Sequence, residues 1–331
     1  MGRSPNASRS AIATVAQRAG VSIATVSRVV NGIANKASVE TAARVWRAVE
    51  ELGYRPGSVG RALRHKTSRL VAVLAANLAN PAMTAMAASI ETALRDAGLV
   101  MVLCDTHDRA DLQNEYLLEM RAQLACAVVL LGAVPSIQLQ AAQAAGETLV
   151  FVNRAAPDGE GAFVGIDNFQ AGVEVGRFFA AHHVLQSAIL YASRRSSATD
   201  GRVAGFLSAA GASTRPVPPT SEDHLAIGYA GVEAAMSEGN RTGVFCTSDL
   251  IAYGSHRRLL ELGLRVPEDV LVMGFDDNPL NDWIAPWLSS VRVPYHLFGP
   301  ATLRAIAAAQ GGTMLRVILP FEVIRRDAPT R

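Results

Sequence analysis

The chain begins with three short runs in which apolar residues recur at three- and four-residue spacing. Ala11 to Ala19 predicts a helix, Gly20-Val21 a tight turn, and Ser22 to Asn31 a second helix capped by Ser22. A third helix is expected from Ser38, a good N-cap, to Gly53, with Glu40 in the first turn where the helix dipole favours an acid. Its apolar positions Ala42, Val45, Trp46, Val49 and Leu52 share one face, enough to close a small core around a helix-turn-helix.

The pattern breaks at Arg55 to Arg69. Pro56, Gly57, Ser58 and Gly60 loosen the chain there, while Arg61, Arg64, Lys66 and Arg69 keep it basic, so the stretch reads as a joint. From Leu70 onward short apolar runs alternate with helical ones. The units are Leu70-Leu74, Ala82-Ala97, Val100-Cys104, Gln113-Leu124, Ala127-Leu131, Ser136-Ala145 and Leu149-Val152. They continue through Ala171-His182, Ala188-Tyr191, Arg202-Ala210, Ala226-Ser237, Val244-Cys246, Leu250-Leu262, Val270-Phe275 and Leu315-Ile324. Continuous apolar strands between helices predict parallel sheets covered on both faces. The number of units is too large for one ordinary sheet, which points to two doubly wound lobes with a ligand crevice between them. The expected domains are therefore a helical head over 1–56, a hinge over 57–68 and a two-lobed body over 69–331.

Charge changes this picture more than composition does. The 331 residues carry a formal net charge of only +2, yet residues 1–70 hold twelve Lys and Arg against three acids, leaving the remainder at −7. A basic head on an acidic body suits a head that meets a polyanion and a body that is repelled from it. No run approaches 18 uninterrupted apolar residues and the first ten residues are polar, so a cytoplasmic protein is expected. Cys104, Cys126 and Cys246 lie far apart beside apolar runs and read as buried strand thiols, with neither zinc spacing nor a disulfide framework. His182-His183 are adjacent on a helix end, point in different directions, and read as a solvated pair. No nucleophile elbow, P-loop, dinucleotide fingerprint or H-E-x-x-H helix is present, so no catalytic residue, metal or cofactor is expected.

Ala19 to Gly32 (AGVSIATVSRVVNG), followed by Glu51-Leu52-Gly53-Tyr54-Arg55-Pro56 and by Arg61-Ala62-Leu63, resembles the lactose-repressor/galactose-repressor family of bacterial transcription regulators. The body is similar to the same family in Asn80-Pro81, Arg202-Val203-Ala204-Gly205-Phe206, Ser248-Asp249-Leu250-Ile251-Ala252, Gly274-Phe275-Asp276-Asp277 and Val323 to Asp327. The resemblance implies a periplasmic-binding-protein-like effector domain, a homodimer, a near-palindromic operator in double-stranded DNA, and a small-molecule effector between the lobes. Thr14, Gly57 and Gly60 depart from the family pattern, and the two glycines make the hinge less helical when free.

In the family pattern Ile23 and Ala24 face base edges at the start of the recognition helix, where neither can hydrogen-bond and both suit thymine methyls. Arg28 can span a guanine edge bidentately, while Ser22, Thr25, Ser27 and Asn31 suit phosphate oxygens. Lys36, Ser38, Thr41, Tyr54 and Arg61 carry over as further DNA contacts, and Leu63 as a minor-groove wedge that kinks the duplex. For the effector, Arg202 and Asp276 carry over as a gripping pair, one from each side of the crevice, and Asp249 as either a ligand acid or a helix cap. Asn80, Met83, Arg154, Asp167 and Ser248 lie at similar strand ends. The aromatic platform that a sugar or purine favours is missing: Ala82 and Met83 follow Asn80-Pro81, and Asp223 or His224 stands where a ring is usual. An effector-independent or architectural regulator with a vestigial crevice is the alternative.

Overall fold

A computed structural model of the chain describes residues 5–30, 37–54, 68–184, 186–192, 196–210, 213–236 and 242–326. The chain divides into two units between Ser68 and Arg69.

The first unit is helical: α1 (Pro5–Ala19), α2 (Ile23–Val30) and α3 (Val39–Glu51). Ser38 caps α3 by accepting the Thr41 amide, and Glu40 sits in the first turn. Val15, Ala16 and Ala19 of α1, Val26 of α2, and Val45, Ala48 and Val49 of α3 form the core, with Val21, Val29 and Tyr54 packed against it. Trp46 and Leu52, expected on that face, are instead 45% and 42% exposed. One residue is a 100° step round a helix, and two short partners cover only the Val45/Val49 stripe; Leu52 lies past the last helical turn.

The second unit contains two sheets. The first takes β1 (Leu70–Ala75), β2 (Val100–Asp105), β3 (Ala127–Leu131), β4 (Leu149–Val152), β5 (Ala162–Ile166) and, much later, β11 (Arg316–Leu319), in the order β11-β5-β4-β3-β1-β2. The second takes β6 (Gln186–Leu190), β7 (Thr214–Val217), β8 (Thr242–Cys246), β9 (Val270–Asp276), β10 (Ser289–Arg292) and β12 (Glu322–Ile324), in the order β12-β10-β9-β8-β6-β7. Every pairing is parallel except β10 with β12. Helices α4 (Pro81–Asp96), α5 (Ala110–Ala122), α6 (Ile137–Ala144), α7 (Asn168–Ala181), α8 (Ser197–Ala209), α9 (His224–Ala235), α10 (Asp249–Glu261), α11 (Asn281–Ile284) and α12 (Tyr295–Gln310) connect them. Strands such as β3 and β9 are buried along their whole length, which is why they read as unbroken apolar runs.

The chain passes from the first lobe to the second after β5, returns after β10 into α12, and crosses again between β11 and β12. Pro320 separates the last two strands, so the Leu315-Ile324 run, expected as one element, is two strands in different lobes. The sequence pattern also missed β5, β7, β10 and α12. Arg215-Pro216 disguises β7, and Pro294 and Pro300 punctuate α12, where Pro300 is tolerated inside the helix. Helix pairs approach closely through glycine: a Cβ on Gly205 of α8 would lie 1.9 Å from the Phe169 carbonyl of α7, and one on Gly254 of α10 would lie 2.0 Å from the Leu225 carbonyl of α9.

Cys246 is buried, but Cys104 and Cys126 are half-buried, one on the edge strand β2 and the other just before β3. His182 is not fully solvated: its Nδ1 lies 2.8 Å from the Phe178 carbonyl and its ring packs on Phe178. Among the described residues no helix is long and apolar enough to cross a membrane, and no group of three or more acids, His or Cys is placed to hold a metal ion.

Candidate functional sites

In the head, packing decides what α2 presents. Val26, Val29 and Val30 turn to the core, which leaves Ser22, Ile23, Ala24 and Arg28 exposed and Thr25 and Ser27 half-exposed on the remaining face. Ile23 is 51% exposed, so its apolar side chain contributes nothing to the core. The Ser22 hydroxyl accepts the Thr25 amide at 3.1 Å and lies 2.9 Å from the Thr25 hydroxyl. Ser38 and Thr41 form the same arrangement at the start of α3, with hydroxyls 2.9 Å apart. Each pair thus caps its helix while its outer lone pairs and the helix N-terminus remain presented, a geometry suited to anions. Tyr54 packs against the core rather than standing free. Asn31, Lys36, Arg61 and Leu63 lie outside the described residues.

In the body, a narrow cavity of about 60 Å³ lies between the lobes, and Asn80, Met83, Arg154, Arg202, Ser248 and Asp276 line it together with Asn153, Thr199, His224 and Thr247. It opens toward a second compartment of about 290 Å³ that shares Arg154 and His224 and adds His107, Asp108, Glu222 and Asp223. Six of the expected positions therefore converge on one space, with Asp223 beside it.

Arg202 and Asp276 do not face each other from opposite lobes as expected. Both belong to the second lobe, one on α8 and the other at the end of β9, while Asn80, Met83 and Arg154 come from the first. Arg202 is held rigidly: its Nε donates to Asn168 Oδ1 at 2.9 Å, one terminal nitrogen donates to the Thr247 carbonyl at 2.7 Å, and its guanidinium lies 3.4 Å over the Phe275 ring. An aromatic ring of the site is thereby spent on the protein's own arginine. The Asp276 carboxylate stands 3.9 Å from Arg202 and accepts no hydrogen bond among the described residues, although the residue is only 7% exposed. Burial pushes this carboxyl up to about 8, against the pull of Arg202 and with a further push from Asp249. An acid left in that condition is short of donors, and a ligand hydroxyl or amine would supply them.

Arg154 forms a two-pronged ion pair with Asp108 across the outer compartment. His224 lies 2.9 Å from the Ser248 hydroxyl, and burial, followed by Arg154 and Arg202, lowers its pKa. Asn80, Ser248 and Asp223 are also the N-caps of α4, α10 and α9, which places helix N-termini from both lobes around the space.

Two expected residues are elsewhere. Asp167 is exposed and caps α7, its carboxylate folded back onto the Gln170 amide at 2.9 Å. Asp249 is neither ligand acid nor cap, since Ser248 caps α10. Its carboxylate is buried among the Asn278 amide at 2.7 Å, Asn281 Nδ2 at 2.9 Å and the Ser290 hydroxyl at 2.7 Å, fastening the loop after β9. Sequence reasoning missed Asn168, which orients Arg202, because the strand before it went unread. It also missed Asn153 and Thr247, which neighbour the named Arg154 and Ser248.

Comparison with known proteins agrees with both geometries. Residues 11–57 match the family described as bacterial regulatory proteins, lacI family, and residues 177–327 match the periplasmic binding protein-like domain. The chain joins a lacI-family head to a periplasmic-binding-protein-like body. It is 28% identical to the ribose operon repressor of Halalkalibacterium halodurans, over 89% of this chain and 88% of that protein. Among solved structures, the lac repressor dimer bound to operator and the anti-inducer ONPF superposes with a TM-score of 0.79 at 23% identity, over 95% of this chain and 97% of that one. A complex of the transcriptional regulator CelR with cellobiose superposes at 0.69 and 25% identity, over 96% and 98%. The helical head and the two-lobed body thus occur together in these similar chains, as the residues alone implied.

Proposed function

We propose that the chain is a dimeric, DNA-binding transcriptional repressor whose operator affinity is set by a small molecule held between the two lobes of its body. The organisation is a head over 1–56, a hinge over 57–68 and an effector and dimerisation domain over 69–331. It acts where DNA is, in the cytoplasm, and works by binding rather than catalysis. Ile23, Ala24 and Arg28 read base edges, and Ser22, Thr25, Ser27, Asn31, Lys36, Ser38, Thr41, Tyr54 and Arg61 hold the backbone, with Leu63 as the minor-groove wedge.

The observation that carries the regulatory half is the buried Asp276 carboxylate, 3.9 Å from a rigidly held Arg202 and accepting no hydrogen bond among the described residues, in a crevice walled by both lobes. Buried polar groups are nearly always satisfied, so an acid left without donors marks a ligand position. Similar structures are described with small molecules: CelR in complex with cellobiose, and the lac repressor with the anti-inducer ONPF. A polyhydroxylated ligand of sugar size fits the donor-poor acid and the donor-rich arginine. With no free aromatic platform, it would be gripped mainly by hydrogen bonds.

The test is selection of the purified chain against random duplex DNA at about 0.15 M salt, followed by a metabolite screen on the enriched site. A two-fold symmetric site and an effector response lost in both Arg202→Ala and Asp276→Ala are expected. Enrichment of no sequence, with and without a metabolite extract, would sink the repressor reading; a response intact in both variants would move the effector elsewhere.

A further inference from the structure

Asp276 presents its carboxylate to the crevice and its carbonyl to the crossing between the lobes. That carbonyl accepts two hydrogen bonds, from the Val293 amide at 3.3 Å and from the Tyr295 hydroxyl at 2.9 Å. Both donors belong to the segment that carries the chain out of β10 in the second lobe and into α12, which packs on α4 in the first. One residue therefore faces the ligand space with its side chain and the inter-lobe crossing with its backbone.

The backbone at this corner is held against its own preference. Asp276 has φ +109° and Asp277 has φ +46°, in the left-handed region that non-glycine residues avoid. The strain is contained by the Asp277 carboxylate, which accepts from Arg292 and Arg326 at 2.7 Å each and from Asn281 at 3.3 Å. On the far side of the crossing lies a cavity of about 570 Å³ bordered by Val293, Pro294, Tyr295, Pro320 and Phe321. Val293 is nevertheless buried and Tyr295 and Leu297 pack against the core, so the two hydrogen bonds on the Asp276 carbonyl add a polar fastening to a crossing that packing seats on one side only. Burial pushes the Tyr295 phenol well above its ordinary pKa, which keeps it a donor at any working pH.

We propose that Tyr295 is a positioning residue that couples the effector crevice to the angle between the lobes, by clasping the Asp276 carbonyl to the crossing segment. A ligand that draws the Asp276 side chain toward itself turns the strained 276–277 backbone and moves this carbonyl. The clasp then passes the movement to α12 and the first lobe. This rests on the reading of the crevice as an effector site, but the clasp itself does not need an effector to be measured.

The experiment places spin labels on two exposed residues, Gln140→Cys in α6 and Glu268→Cys in the second lobe, in the full chain with Cys104 and Cys126 replaced by alanine. Inter-lobe distances are then compared with and without Tyr295→Phe, which keeps the ring and removes only the hydroxyl. A broadened distance distribution is expected, together with a change in operator affinity of roughly 2- to 10-fold, the worth of one hydrogen bond, and a melting temperature within a few degrees of the parent's. A distribution superimposable on the parent's overturns the proposal. Should the variant not fold, exchange of the Tyr295 hydroxyl proton in the unaltered chain, read by NMR, decides: a slowly exchanging proton supports the clasp, and exchange at the rate of an open phenol refutes it. The distance measurement involves neither DNA nor ligand, so its failure is distinguishable from failure of the repressor reading.

Discussion

At the scale of single residues, the two ends of the molecule use opposite chemistries. Arg28 is exposed on a helix whose inner face is fully used by valines, so its guanidinium is available for bidentate reading of a base edge. Arg28→Ala is expected to cost about 1–3 kcal/mol and to relax preference at one base pair of each half-site, read from competition between single-substitution operators. Uniform weakening on every sequence would reassign it to phosphate. Asp276 is the reverse case, an acid kept from water. Its folded pKa, pushed up to about 8, lies above the value near 4 of an unfolded chain. Its contribution to stability is therefore complete below about pH 4 and is lost as the pH rises through 8, with Asp249, pushed up to about 6, adding to the early part of the same decline. Thermal melts of the unliganded chain should fall across this window, and Asp276→Asn should flatten the portion between pH 6 and 8. A variant profile parallel to the parent's would show that Asp276 is ionised throughout. The exposure of Arg28 and the place of Asp276 in the crevice were legible from motif, whereas the lobe that carries Asp276 and the burial of Asp249 were not, because neither is a local property of sequence.

At the scale of elements, legibility followed the strength of the period. Runs such as Ala127–Leu131 and Val270–Asp276 are buried on both faces and could hardly be read otherwise. β7 and α12 were hidden by prolines that edge strands and helix turns tolerate, and Leu315-Ile324 looked continuous because a lobe crossing leaves no mark on hydropathy. The helix contacts around the crevice depend on something subtler, the absence of a Cβ. Gly205 lets α8 lie against the Phe169 carbonyl, and a methyl group there would sit 1.9 Å from it, a clash with backbone rather than with a movable side chain. Gly205→Ala is expected to destabilise the body by about 1–3 kcal/mol, since overpacking forces the helices apart. It should also misplace Arg202, three residues earlier on the same helix. Chemical denaturation checks the first effect and operator release by an identified effector the second; an unchanged midpoint would mean that the α7–α8 contact yields freely.

At the scale of the whole molecule, charge and symmetry set the terms of DNA binding. The head carries an excess of nine positive charges within residues 1–70 and the rest of the chain an excess of seven negative ones, so attraction to the duplex is confined to the heads. Each phosphate neutralised releases counterion, and log affinity falls against log salt by about 0.9 per phosphate contact. A dimer that lays both heads on one operator engages two sets of phosphates, whereas a duplex containing a single half-site admits one. Measured between about 50 and 200 mM salt, the slope on the full operator should be near twice that on the half-site, with the body adding nothing. Equal slopes would mean that a single head engages even on the symmetric site. The dimer would then raise affinity by some route other than paired heads, and the lobe angle set at Asp276 would have no second head to bring into register.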